Sequence, residues 1–222
     1  MKKKDPDLGV YRYELEDQLW QEGYSRVMGL DEVGRGCLCG PVVAAGVILK
    51  PGSRLSDNVR DSKTLSARQR EELVQEIEHE ALYWTIQHCT PREIDRYNIS
   101  NASIRAMLKC AEEQQAAPDF LLVDGNRFAG SPLPHRCVIK GDDRSASIAA
   151  ASILAKVYRD RLMLELHHDY PYYGWDTNMG YPTKAHYEGL TAHGFTEHHR
   201  QSFNLRTRKA YTMVGAAEKS DN

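Results

Sequence analysis

A chain of 222 residues with 27% charged and 41% hydrophobic side chains has the make-up of a globular domain with one real core. Its formal charge of −2 excludes the broad basic surface of a general nucleic-acid binder, so contacts to nucleic acid must come from local clusters. The longest apolar run, 41–49, is far too short to cross a bilayer, no apolar stretch follows the basic N-terminus as in a secretory signal, and five cysteines without a CxxC pair point to a reducing cytoplasm.

In chain order, 13–22 reads as a short helix with Leu15 and Leu19 on one face, stopped by Gly23. Segments 26–33 and 40–49 read as two strands joined by a tight glycine-rich turn, a hairpin that opens a sheet. Residues 51–64 are a loop by composition. Ser66 with Gln69 forms a capping box for a helix over 67–80, and 81–89 follows as a third strand. Thr90, Pro91 and Glu93 start another helix, and a further one covers roughly 100–115. The apolar stretch 118–126 is a strand ending on an acid, and 135–140 is the next strand.

The strongest helical pattern lies at 145–168, where Ile148, Ser152, Ala155, Tyr158 and Leu162 share one face. Small residues fill its first turns, which lets the backbone lie close to a sheet. Beyond Tyr170 the chain is aromatic and glycine-punctuated, Thr183 caps a last helix to about 192, and 205–222 is a polar tail. Strands followed by mixed strands and helices predict an α/β fold in three layers around a mixed sheet, with one domain over 1–204.

Acids stand where these elements end or begin. Asp31 and Glu32 close the first strand, Asp124 closes the strand "FLLVD", and Asp142 precedes the long helix. In an open α/β sheet such positions gather along one edge, where ligands bind. Carboxylates meeting there repel one another unless cations join them, and oxygen-loving Mg²⁺ suits the task. Two ions about 3.5–4 Å apart hold the attacking water and the leaving oxygen of a phosphodiester in line. Each acid also has a plainer reading. Asp142 or Asp143 can cap the helix, Asp124 can be a turn residue, and Glu32 can be a solvated charge. Neighbours on a strand point to opposite faces, so Asp31 and Glu32 share a target only if the strand ends there and the glycines free Glu32. The pairs His167–His168 and His198–His199 lack metal-ligand spacing and read as a solvated helix end and a tail. Cys37 and Cys39 lack two further ligands for zinc and read as small buried residues.

The segments "GLDEVGRGCLCGPVVAAGVIL", "DSK" (61–63), "LLVDGN", "KGDDRSASIAAASILAKVYRDR" and "MGYPTKAH" resemble, in order and spacing, the bacterial ribonuclease HII family over roughly 13–203. The resemblance implies a ribonuclease H-like fold with a helical C-terminal part over about 165–204. It implies cleavage of RNA in RNA–DNA hybrids, and of duplex DNA on the 5′ side of embedded ribonucleotides, with Mg²⁺ or Mn²⁺. The family's catalytic, metal-binding acids fall on Asp31, Glu32, Asp124 and Asp142, with Asp31 central enough to bridge two ions. The sugar-sensing turn falls on Gly34, Arg35 and Gly36, the tyrosine stacked under the neighbouring deoxyribose on Tyr181, and a phosphate-side cation on Lys63. Without the family, Tyr181 reads as packing in a tyrosine-rich loop. Cys37 and Cys39 replace the family's more frequent proline and alanine, and 98–108 is atypical.

The partners implied are RNA–DNA hybrid and ribonucleotide-containing DNA, met by a cytoplasmic monomer that needs no membrane. The nearest rival is a DEDD-type exonuclease, but its first strand spaces its acids by one residue. A non-catalytic hybrid-binding module has no use for four acids beside phosphates, and no GxxxxGK[ST] loop supports an NTPase.

Overall fold

Two valine-rich runs, β1 (Val27–Val33) and β2 (Val42–Leu49), pair antiparallel in a register that sets Asp31 opposite Ala45 and Glu32 opposite Ala44. β3 (Ala81–Cys89) joins β2 antiparallel. β4 (Phe120–Asp124) and β5 (His135–Val138) add parallel on the other side of β1. The computed structural model of the chain describes residues 12–61 and 66–205, and in it the five strands form one mixed sheet of order β3-β2-β1-β4-β5. Every β2 residue is buried, as a central strand covered on both faces requires.

The helices are α1 (Glu14–Gln21), α2 (Ala67–Glu80), α3 (Pro91–Tyr97), α4 (Ile99–Ala111), α5 (Ala146–Asp169), α6 (Trp175–Asn178) and α7 (Lys184–His193). On one sheet face Val43, Ala45, Val47 and Leu49 pack against Val74 and Ile77 of α2 and Ala150, Ile153 and Leu154 of α5. On the other, Met28, Leu30, Ala44 and Ile48 pack against Ala102, Ala106 and Cys110 of α4. The expected three-layer α/β arrangement is therefore present. A further cluster joins Leu38 and Cys39 to Met163, Tyr173, Trp175 and Leu190, which seats the C-terminal helices on the β1–β2 connection.

Local signals in the sequence translate directly. Ser66 with Gln69 and Thr90 with Glu93 form full capping boxes. Thr183 accepts from the His186 amide, so α7 starts where expected. α5 is capped by Ser145, which accepts from the Ile148 amide, and this replaces the reading of Asp142 or Asp143 as the cap. The start of α5 is also held by the buried carboxylate of Glu16, whose Oε1 accepts from Ser145 Oγ at 2.6 Å and the Ser147 amide at 3.0 Å. A negative charge there complements the helix dipole. α5 lies so close to β1 that a Cβ on Gly29 would sit 2.3 Å from the Ser147 carbonyl carbon. That approach brings α5 and the acids of β1 together.

Some expectations need revision. Residues 34–41 are no tight turn but a packed connection that bridges Cys39 to His199 and ties the Leu38 amide to the Gly180 carbonyl. The helix expected to 115 ends at Ala111. On α5 Ile148 and Ala155 are buried, but Tyr158 is exposed and Leu162 half-buried. The first half of α5 is enclosed on nearly all sides and the second half turns Arg159 and Met163 inward, so no single stripe describes the helix.

Candidate active site

Asp31 and Glu32 of β1, Asp124 at the end of β4, and Asp142 in the short 3₁₀ turn Gly141–Asp143 line one cleft of about 530 Å³. β1 does not end at Asp31 as anticipated, since its pairing with β2 continues in register through Val33. Its parallel pairing with β4 does stop, at Leu30 opposite Val123. Past that point one edge of β1 lies open toward the cleft, and both neighbouring acids border it. The end of β4 thus performs the role expected of the glycines.

The acids burden one another. Burial pushes the Asp31 carboxyl well above the ordinary carboxylate range, a hydrogen bond from Ser152 works against the shift, and the charges of Glu32 and Asp124 add to it. Glu32 is also raised, mainly by burial, with Arg35 opposing and Asp124 adding. Asp31 Oδ1 accepts from the Glu32 amide at 2.7 Å, and Asp124 Oδ1 accepts from the Gly141 amide at 2.7 Å. Glu32 Oε1 takes the Arg35 guanidinium at 2.9 Å, whereas its Oε2 is buried without a hydrogen-bond partner. Mutually repelling buried carboxylates and an orphaned carboxylate oxygen are relieved by a hard divalent cation, so this donor set fits Mg²⁺ or Mn²⁺. Among the described residues no three such side chains close into a tight cage. The acids border an open cleft instead, which suits an ion that keeps water and phosphate oxygens in its shell.

Beside the acids runs the turn of Gly34, Arg35 and Gly36. Gly34 has φ +91°, and a Cβ there would lie 2.2 Å from Arg159 Nε, so glycine is demanded by the protein's own packing. Gly36 differs, because a Cβ would meet just the Tyr181 ring at 3.8 Å. Tyr181 is 41% exposed and its ring borders Gly36, so it stands by the turn as a surface aromatic. Arg35 is exposed and paired with Glu32. Lys63 lies outside the described residues, as do Ser62 of the "DSK" stretch and the tail 206–222.

Other groups at the site gave weak signals in the sequence. Arg70, Lys140, Ser152 and Lys156 share the cleft with the acids. Lys140 stood in the quoted "KGDD" motif and Ser152 on the marked face of α5, whereas nothing local distinguishes Arg70. Behind the turn, Arg159 and Arg200 are fully buried, and Arg159 donates to the carbonyls of Pro41, Met179 and Cys39. Nothing local in the sequence marks either arginine as buried. His199 is not part of a solvated tail. It is buried with Nε2 3.2 Å from His186 Nε2, and burial draws its pKa down to about 4. Cys37 and Cys39 are both buried, and burial raises both thiols, as expected of structural cysteines.

The sequence pattern of the Ribonuclease HII family matches residues 28–206. A ribonuclease HII of Salinibacter ruber is 52% identical over 194 residues, which cover 86% of this chain and 96% of that protein. The ribonuclease HII of Archaeoglobus fulgidus, solved in complex with PCNA, superposes with TM-score 0.68 at 26% identity, over 82% of this chain and 97% of its own. Bst-RNase HIII, solved in complex with Mn²⁺, shares the fold with TM-score 0.61 at 19% identity, over 86% of this chain and 70% of its own.

Proposed function

The chain belongs to the ribonuclease HII family and is a metal-dependent endoribonuclease of RNA–DNA hybrids, and we propose that it also nicks duplex DNA on the 5′ side of embedded ribonucleotides. The observation that carries this reading is the convergence of Asp31, Glu32, Asp124 and Asp142 on one cleft, with a buried Glu32 oxygen lacking a partner. These four acids, Asp31 at their centre, would hold Mg²⁺ or Mn²⁺. When bound, such ions activate a water toward phosphorus and neutralise the charge that grows on the leaving 3′-oxygen.

The chain's own residues orient the substrate. Arg70 and Lys140 bring positive charge to the cleft wall for phosphate oxygens, with Lys156 beside them in an ion pair with Asp160, and Lys63 belongs to the same reading. The backbone of Gly34, Arg35 and Gly36 reads the ribose 2′-hydroxyl, the group that tells RNA from DNA at one nucleotide. The half-exposed Tyr181 ring offers a flat face to the next sugar, which lacks that oxygen. No helix among the described residues is long and apolar enough to cross a membrane, and we place the activity in the cytoplasm, on a monomer.

The test is a duplex with one ribonucleotide. Nicking with Mg²⁺ or Mn²⁺, its loss with a chelator, and sparing of the all-DNA duplex are expected, whereas chelator-resistant nicking contradicts the reading. A second expectation concerns Tyr181→Ala. Loss of an aromatic platform costs about 1–3 kcal/mol, so kcat/KM at RNA–DNA junctions falls about 5- to 150-fold. Cleavage inside long hybrids, where the next sugar carries its own 2′-hydroxyl, falls less. Equal losses on both substrates make Tyr181 a packing residue.

A further inference from the structure

The sugar-reading turn is gripped from behind by one side chain. Arg200, fully buried in the segment after α7, donates from Nη2 to the Gly34 carbonyl at 2.7 Å, from Nη1 to the Arg35 carbonyl at 3.0 Å and from Nε to the Gly40 carbonyl at 3.0 Å. In a trans peptide the N–H points opposite to the C=O. With the carbonyls of residues 34 and 35 both turned inward to one planar fork, the amides of Arg35 and Gly36 are turned outward. Both residues are exposed, and neither amide has an acceptor among the described residues. A cation on the carbonyl side also polarises each peptide and strengthens its N–H as a donor.

Arg200 is itself well fixed. Its amide donates to the Leu38 carbonyl at 2.9 Å, and the Gly40 amide donates to the His198 carbonyl at 2.8 Å. The next two amides, of Gln201 and Ser202, donate to the Asp95 carboxylate at 3.0 and 2.9 Å. The guanidinium lies 5.1 Å from the Phe203 ring centroid. Burial draws its pKa down to about 10, which leaves it charged at neutral pH.

We propose that Arg200 is a positioning residue for ribose discrimination, setting the Arg35 and Gly36 amides at the angle from which they reach a 2′-oxygen while never touching the substrate. The inference rests on the reading that this turn inspects the 2′-hydroxyl. It assigns a specificity role to the segment following the last helix, far from the metal-binding acids in sequence.

The test uses the full chain with Arg200→Lys, which keeps the charge but replaces the planar fork by a point donor unable to hold both carbonyls in place. KM is measured on a duplex with one ribonucleotide, and Ki for the same duplex made entirely of DNA. Loss of one well-aimed hydrogen bond raises KM about tenfold, while Ki stays within about twofold. A purely structural role lowers the active fraction, hence kcat, and leaves KM/Ki unmoved. Should the lysine variant fold poorly, Arg200→Gly is assayed with added guanidinium. Recovery of KM/Ki with guanidinium, and not with ammonium at equal ionic strength, supports the assignment, and recovered stability without recovered discrimination overturns it. Gly36→Ala is the control on the premise, because its methyl projects where the protein itself leaves room. If Gly36→Ala loses discrimination and folded Arg200→Lys keeps it, Arg200 has no positioning role. If both keep it, the turn is not the ribose reader.

Discussion

Asp31→Asn is expected to lower the divalent-supported rate by about 10³-fold or more, because ion-mediated charge stabilisation contributes several kcal/mol to phosphodiester hydrolysis. Binding of the single-ribonucleotide duplex stays within a few-fold, since the turn and Tyr181 are untouched. The same substitution has the opposite effect on the metal-free fold. Asn keeps an oxygen for the Glu32 amide and for Ser152 but removes a buried charge that Glu32 and Asp124 repel. A gain of about 1 kcal/mol is expected at neutral pH, a Tm rise of about 2–4 °C for a chain of this size.

The pH dependence follows from the direction of the shift. Asp31 titrates higher in the folded than in the unfolded chain, so between the two values the native state holds the extra proton and stability falls as pH rises. The Tm gap between Asp31→Asn and wild type is therefore largest above the folded pKa and shrinks as pH falls through it. A gap that widens toward acid contradicts the burial of this charge, and retained nicking contradicts the assignment of Asp31 to the metal site.

Gly34→Ala is the second large effect. An alanine at φ +91° costs about 1–3 kcal/mol in backbone strain, and its Cβ 2.2 Å from Arg159 Nε adds a similar overpacking cost. Arg159 has little freedom to retreat, since its three donors hold the carbonyls of Cys39, Pro41 and Met179. The expected loss is about 2–5 kcal/mol, read as a Tm fall of about 5–15 °C, with the ribonucleotide-specific rate falling further than the folded fraction does. Gly36→Ala provides the contrast. Its nearest protein neighbour would be 3.8 Å away, so Tm stays within about 2 °C. Equal Tm values for the two variants in thermal unfolding contradict this division of labour between the glycines.

What could be read in the sequence was what short-range physics determines. Capping boxes at Ser66 and Thr90 involve partners three residues away, and both formed as expected. Acids closing apolar strands could be placed at one sheet edge because parallel strands align their ends, and Asp31, Glu32, Asp124 and Asp142 do line one cleft. The reason Asp31 and Glu32 border the same space could not be read, because it lies in where β4 stops beside β1, a register set by tertiary pairing. The support behind the turn was equally hidden. Arg159 and Arg200 look like ordinary surface cations until the fold shows them buried on carbonyls from distant segments. His199 reads as tail for the same reason, since beyond its local turn with Thr196 its buried neighbour His186 reaches it only once α7 packs. On α5, periodicity assumed one buried stripe, whereas enclosure by β1, β2 and α2 buries the first half nearly all round.

The most direct measurement maps the ends left by the wild-type chain on a labelled duplex carrying one ribonucleotide, with Mg²⁺ or Mn²⁺ present. An external water aimed by the four-acid site predicts a single cut on the 5′ side of the ribonucleotide, with a 3′-hydroxyl on one fragment and a 5′-phosphate on the other. A 2′,3′-cyclic phosphate would mean that the ribose hydroxyl itself attacked, and a ladder of shortened products from the 3′ end would mean an exonuclease; either result contradicts the account.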